Sequence, residues 1–473
     1  MSRHRVAVTI AAAALVLGVA GDLLLRWIPW GLNAILWTIL FVASSAIVRA
    51  RASAEEGVAT KVQPFAALAS LTLAGCIAWR DSPPLVVLDV ALLLLFLPML
   101  TLGARGVRAA AAGLVEIAGA IVTTGAQTVA GFPQLLIGDL SWSRMPGRRV
   151  RGVGIVLRGT LIATPALLLF GALLVSADQR FEDLLSNLFS FQLSELAIHL
   201  LVIAVVAAVC AGFLRSLALG GEMPRFDRPR ILAIPAAETN VALTLINLLF
   251  ALFVAVQFSY FFRGAELTPA EYARRGFFEL VWVVALVLPM LLIVDWLLGE
   301  KRIFRILAGI QVALVFVIAA SAWRRMELYR EEFGLTRLRL FTTAFMIWVA
   351  VLLLWFALTV LTGRRHRFAA GMLFTGVVTV VVLHAINPDA LIVETNLERA
   401  RAGRRALDAQ YVLQLSDDAA PVIAANRSAF APLLLYRYVT KPRPAGWRSW
   451  NLSRRRADEA LQHLREPAGP SSE

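Results

Sequence analysis

The sequence predicts an all-α polytopic membrane protein: a bundle of about eleven spans, twelve at most, with a small helical extramembrane segment behind it. Three observations carry that reading. Hydrophobic residues fill 59% of the 473 positions and charged residues only 16%, against about 25% charged in soluble domains. Apolar stretches with few charges recur along the chain, and a helix rising about 1.5 Å per residue needs roughly 20 such residues to cross a bilayer. Arginines gather in short clusters between those stretches, where they set orientation and meet anionic lipid headgroups.

Taken in order, the apolar stretches place spans near 6–25, 30–48, 63–79, 84–102, 154–176, 196–217, 240–262, 277–298, 304–323, 340–362 and 368–386. The start, "MSRHRVAVTIAAAALVLGVAGD", has the basic head and apolar middle of a signal peptide. With ten further spans behind it, it reads as an uncleaved first span. Segment 109–130 is the doubtful one, rich in Ala, Gly and Thr and carrying Glu116. If it does not cross and the N-terminus is cytoplasmic, the short inner loops hold about twice as many Lys and Arg as the outer ones. If it crosses, that bias disappears. The expectation is therefore a re-entrant, interfacial or bundle-buried segment, with the chain beyond Ile386 outside.

The bundle thus takes residues 1–386, a helical extracytoplasmic segment takes 387–465, and 466–473 form a disordered tail. Asn387-Pro388 is an N-cap with proline at the first helical position, and Gly403 ends that helix. Further helices fit 404–414, 418–427 and the stretch after Asn451.

Composition and motifs exclude several chemistries. Lys+Arg total 46 and Asp+Glu 32, a net charge of +14, yet no basic patch is interleaved with stacking aromatics, so nucleic acid is not a partner. Cys76 and Cys210 both fall inside spans and read as small apolar fillers, expected to tolerate Ala or Ser. Glu195 and His199 lie one turn apart, but no H-E-x-x-H accompanies them, and no metal or cofactor is expected. The chain has no G-x-S-x-G, Walker loop or C-x-x-C to mark a nucleophile or nucleotide site.

The polar residues are more informative. "EYARRGFFELVWVVAL" (271–286) follows a capping box, Thr268-Pro269-Ala270-Glu271, which starts a helix in an outer loop. Glu271, Arg275 and Glu279 then stack on one face at i, i+4, i+8, a ladder that carries a carboxylate past the interface. The ladder either anchors the helix end or delivers Glu279 to a site. In the preferred orientation Asp22, Asp89, Glu195, His199, Gln257, Glu279 and His384 all fall in the outer halves of their spans. Intramembrane ionisable groups face cavities or partners, which suggests a polar chamber open to the outer face.

At "LTPAEYARRGFFELV" (267–281) and "SAWRRMELYREEFGLTRLR" (321–339) the sequence resembles a bacterial family, domain of unknown function 4173, next to the related 4153 group. "SADQRF" (176–181), "VQFSYFF" (256–262), "NPDALIVETNLERA" and "LDAQYVLQLSDDAAP" (within 387–421) look similar too. The resemblance runs from Ser176 to about Leu461, and the first five spans carry little of it. Gln179, Arg263 and Pro269 depart from the pattern. The resemblance implies a multi-pass protein of the bacterial cytoplasmic membrane and supplies no reaction. It directs attention to Glu271, Arg274, Arg275, Glu279, Arg325, Tyr329, Asn387, Asp389, Asn396, Arg399, Asp408, Asp417 and Asp418.

Three function classes fit these residues. The first is a non-enzymatic signalling or scaffold protein using the C-terminal helices as a protein-partner surface. The second is a transporter or flippase, for which Pro165, Pro289 and Asn247 are candidate helix breaks. The third is a membrane enzyme acting on lipid or envelope substrates through outward-facing carboxylates, Asp417-Asp418 or Glu279.

Overall fold

The computed structural model describes residues 2–56, 62–107, 112–141, 191–221, 236–263, 277–298, 302–404, 406–444 and 446–465, with isolated positions between 152 and 178. Among the described residues there is no strand. The bundle helices are α1 (Ser2–Leu25), α2 (Leu32–Glu56), α3 (Pro64–Trp79), α4 (Pro83–Met99), α5 (Leu114–Gln134), α6 (Phe191–Leu219), α7 (Ala236–Arg263), α8 (Phe277–Leu298), α9 (Arg302–Phe333), α10 (Arg337–Thr359) and α11 (Phe368–Ile386). Ten are long and apolar enough to cross a membrane, α5 with its extension to Asp139 among them. The eleventh, α3, has 16 residues and reaches only about 24 Å. The expected span 154–176, the capping box at 268–271 and the tail 466–473 lie outside the described residues.

Exposure shows what solvent the helices were built for. Along α7, Val241, Leu245, Leu248, Leu249 and Leu252 are all more than half exposed, and their spacing puts them on one face. In water such a stripe would be a liability. Against lipid tails it costs nothing, and this is a multi-pass integral membrane protein.

α5 lies at the end of the bundle that holds the N-terminus. Its start lines a cleft with Asp295 and Trp296 of α8 and with Arg365, His366 and Phe368 at the head of α11. Its middle meets the foot of α4, where Thr101 Oγ1 is 3.0 Å from Thr124 Oγ1 and Arg105 donates to Thr123 (3.2 Å) and Gln127 (2.8 Å). Beyond it a π turn ends at Asp139, whose carboxylate accepts from Arg3 (2.8 Å) and Arg215 (2.5 Å).

Where α5 crosses α6 the backbones touch, as small residues allow in membrane packing. A Cβ on Gly212 would stand 1.8 Å from the Thr128 carbonyl oxygen, and one on Gly131 would stand 2.8 Å from that of Gly212. Because the obstacle is backbone, Gly212→Ala should destabilise the solubilised protein by about 1–3 kcal/mol. Gly125→Ala, in open space on α5, should leave the thermal midpoint unchanged or slightly raised.

The opposite end is capped by the C-terminal segment: α12 (Pro388–Arg401), the single turn α13 (Ala409–Val412), α14 (Ala420–Ala425), α15 (Pro432–Val439) and α16 (Leu452–Arg465). Its core of Ile392, Val393, Val412, Leu415, Ile423, Ala457 and Leu461 is continuous with Leu85 of α4, Leu340 of α10 and Leu383 of α11. The backbone joins it to the α1–α2 turn, where Leu32 donates to the Trp450 carbonyl (2.9 Å) and Asn33 to that of Arg448 (3.1 Å). Asn387 is the N-cap of α12, and α16 follows Asn451, as expected from sequence. The helix expected at 404–414 shrinks to one turn, because Asp408 caps it only at Tyr411 N (3.0 Å). α15 was not foreseen.

Candidate functional site

A group of buried polar residues gathers where the C-terminal segment meets the turns of α3–α4 and α9–α10. Sequence sets the local geometry. Asn387 adopts the left-handed conformation (φ 54°) that breaks α11 from α12, with Pro388 in the first turn. Its side chain accepts from Ala390 N and donates to the Asp418 carbonyl (3.1 Å). Asn451 caps α16 through Ser453 N and Arg454 N, while its amide donates to the carbonyls of Ile77 and Arg80, both at 2.9 Å. It thereby satisfies a carbonyl in the last turn of α3, a helix end that would otherwise be orphaned.

Three aspartates anchor this junction. Asp389, fully buried, takes a two-pronged pair from Arg337 (Nε–Oδ1 2.8 Å, Nη2–Oδ2 2.5 Å) and bonds from Ser416 Oγ (2.5 Å) and Ser416 N (3.1 Å). Burial pushes its pKa up, but the bonds from Arg337 and Ser416 outweigh burial and leave the carboxyl below the usual range. Asp418 accepts from Ser453 Oγ and from Asp81 N (3.0 Å), with Arg80 Nη1 3.7 Å away. Here burial wins, and the pKa is raised although Ser453 and Arg80 pull it down. Asp417 pairs with Arg443 at 3.0 Å.

A fourth carboxylate, Asp81, pairs with Arg454 (2.7 and 2.6 Å), and burial raises its pKa against that charge. Beside these groups a cavity of about 330 Å³ is lined by Arg80, Asn387, Glu394, Asp417, Asp418 and Ser453 among others. One layer deeper, Arg80 Nε donates to the His384 carbonyl (2.7 Å), and His384 Nε2 lies 3.1 Å from Asp89 Oδ2.

Of the thirteen residues singled out from sequence, Asn387, Asp389, Asp417 and Asp418 come together here. Asn396 and Arg399 form a neighbouring clasp on the α9–α10 turn. Asn396 exchanges bonds with Leu335 N and O (2.9 and 2.8 Å), and Arg399 donates to the Glu332 carbonyl (3.3 Å). Tyr329 lies under the Arg339 guanidinium at 4.1 Å. Arg325 sits apart, 3.4 Å from Gln257 Oε1, and Asp408 is a helix cap. Glu279 is exposed in the first turn of α8, while Glu271, Arg274 and Arg275 lie outside the described residues.

The seven outer-half residues do not share one chamber. Asp22 meets His199 (2.6 Å), Asp89 meets His384, and Gln257 meets Ser321 (3.3 Å) and Arg325, while Glu195 and Glu279 are exposed. Sequence reasoning missed Arg80, Asp81, Arg337, Ser416, Arg443, Asn451, Ser453 and Arg454. In the sequence these arginines sit in clusters that suit lipid headgroups as well as internal partners, and nothing local tells the two apart.

The arrangement is chemically a clamp. Its four aspartates are engaged by arginines, hydroxyls and amides of the same chain, so the C-terminal segment is held on the bundle by buried charge.

No curated protein and no solved structure matches the chain. A family model described as "Domain of unknown function (DUF4153)" matches residues 67–426. That match begins in α3, well before Ser176 where the resemblance was seen to start, and ends before α15. It falls on the 4153 group and does not show membership of the 4173 group. On a match over most of its length, this membrane protein belongs to the DUF4153 family, a domain of unknown function.

Proposed function

We propose that the protein is a non-enzymatic signalling or scaffold component of the bacterial inner membrane, with its C-terminal helices as the extracytoplasmic partner surface. One observation carries this reading: Asp389, Asp417 and Asp418 are consumed in clamping that segment to the bundle. Hydrolytic chemistry would want a carboxylate kept available for a substrate. The segment meanwhile turns Leu433, Tyr436 and Trp447 outward, each more than half exposed, the two aromatics being types that partner surfaces favour. A photo-crosslinking residue at 436 in intact cells should yield a discrete protein adduct. Adducts to lipid alone, as expected from a control at Leu245, would sink the reading.

The orientation proposed with it is a cytoplasmic N-terminus, a non-crossing α5 and an outer C-terminus. Its support is that Asp139 ends beside Arg3, whereas His199, in the first half of α6, meets Asp22 at the far end of α1. Both ends of α5 thus lie on the N-terminal side, and the sequence supplies the change of side at 154–176. Reporter fusions after Arg151 and Leu461 should read cytoplasmic and periplasmic; a reversal of either overturns the orientation.

A transport reading has one observation of its own. The cleft between α5, α8, α10 and α11 holds about 800 Å³, with Glu116, Asp295, Arg365 and His366 at one end and Leu288, Leu292, Trp348 and Met372 along its walls. That is the size and polarity of an amphiphile site. Native mass spectrometry that finds a retained amphiphile, lost on Ala369→Trp, would favour transport over scaffolding.

A further inference from the structure

Cys76, Asp89 and His384 come from three different helices, α3, α4 and α11, and their thiol, carboxylate and imidazole donor atoms lie within 4.8 Å of one another. All three are buried, Asp89 and His384 completely. We propose that they form a binding site for a divalent transition metal of the zinc class. A sulfur, an oxygen and a nitrogen donor make a set that zinc accepts, leaving a fourth position for water or the second carboxylate oxygen.

Two features of the site point to an ion. First, Asp89 Oδ1 is buried and has no hydrogen-bond partner among the described residues. An unsatisfied carboxylate oxygen in a bundle interior is costly, and a cation beside it removes the cost. Second, His384 Nδ1 lies 2.9 Å from the Val380 carbonyl, which can only accept. The ring proton belongs on Nδ1, and Nε2 turns its lone pair toward Asp89 and Cys76. This is the outer-shell arrangement that orients metal-bound histidines. Without a proton or an ion between them, Nε2 and Asp89 Oδ2 would face each other as two acceptors at 3.1 Å.

The same contact excludes the rival reading, a Cys–His–Asp nucleophile. Such a relay needs one imidazole nitrogen on the carboxylate and the other on the thiol, and here the second nitrogen is held by backbone. Bond lengths of about 2.0–2.3 Å in tetrahedral geometry put donors about 3.3–3.8 Å apart, so pairs at the 4.8 Å limit have to close by about 1 Å, a side-chain adjustment. Arg80, one turn beyond Cys76, holds the His384 carbonyl (2.7 Å) and also lines the polar cavity at the same helix ends. On binding, the thiol proton passes to solvent and the thiolate becomes the ligand.

The expectation that Cys76 and Cys210 are equivalent fillers is thereby divided. Cys210 has no such company among the described residues.

The test uses full-length protein in detergent, stripped with a chelator and offered Zn²⁺ or Co²⁺ alone. About one Zn²⁺ per chain should be retained by elemental analysis, and Co²⁺ should give a thiolate-to-metal charge-transfer band. Cys76→Ser should abolish the band and His384→Gln should lower retention at least tenfold, while Cys210→Ser keeps both. A stripped, folded wild-type protein that takes up neither ion overturns the proposal. So does a band that survives Cys76→Ser. If the variants fail to fold, reversible loss and return of the band in wild type, with protection of Cys76 from alkylation only when metal is present, decides the question; an equally reactive thiol with and without metal refutes the site.

Discussion

Arg337→Leu should destabilise the detergent-solubilised protein by about 3–5 kcal/mol, the cost of leaving a buried charge unpaired. Adding Asp389→Asn should return much of that loss. Asp389 is fully buried and Arg337 meets it with two nitrogens, so removing the guanidinium strands a carboxylate that water cannot reach. The asparagine carries no charge and its carbonyl oxygen still accepts from Ser416, so the double variant forfeits only the net worth of the pair. Thermal or denaturant unfolding of the two single variants and the double completes the cycle. Losses that simply add would mean the pair does not hold the segment to the bundle. Limited proteolysis should localise the damage: Arg337→Leu should release fragments from the C-terminal segment before the bundle is cut.

The junction should also make stability depend on pH in two opposed branches. Asp418 and Asp81 have folded pKa values raised by burial, so between their unfolded and folded values the native state holds more protons than the unfolded one. Stability therefore falls as pH rises through that window, above about 4. Asp389 is depressed; its contribution is complete above the unfolded value and is lost as pH falls through the folded one. The two branches meet near the ordinary carboxylate value, where this junction is most stable. Asp418→Asn should flatten the upper branch and leave the lower one, whereas Asp389→Asn should do the reverse. Unfolding curves collected across acid to neutral pH test both, and an upper branch unchanged in Asp418→Asn would show that the carboxyl is not buried as described.

What could be read without coordinates follows from the range of the forces involved. The span at 277–298 and the helix α8 coincide, as do the span at 368–386 and α11, because hydropathy over about twenty residues is a local property. Asn387-Pro388 was legible for the same reason: a cap and its proline act within one turn. α15 was missed since Pro432 and the apolar run after it also suit a loop, and only packing against α16 makes it a helix.

The site was half legible. Asp389, Asp417 and Asp418 could be picked out within the C-terminal segment, but nothing local says that Asp389 will choose Arg337, or that Asp418 will meet Ser453 and Arg80. Arg337 sits in a cluster that looks like a headgroup contact. The Arg275–Glu279 ladder shows the opposite limit, since i, i+4 spacing names neighbours on a helix without saying whether that face is buried; Glu279 is exposed.

The sequence by itself determined that this chain lives in a membrane, which stretches are helical, and where several of them begin. Tertiary structure decided which charges are neutralised by which, that the seven polar residues of the spans divide into separate contacts, and that a cysteine, an aspartate and a histidine from three helices come together. The physical reason is that helix formation and membrane partition are summed over adjacent residues. The partner of a buried charge is instead chosen by where distant helices cross, and no window of sequence contains both sides of that contact.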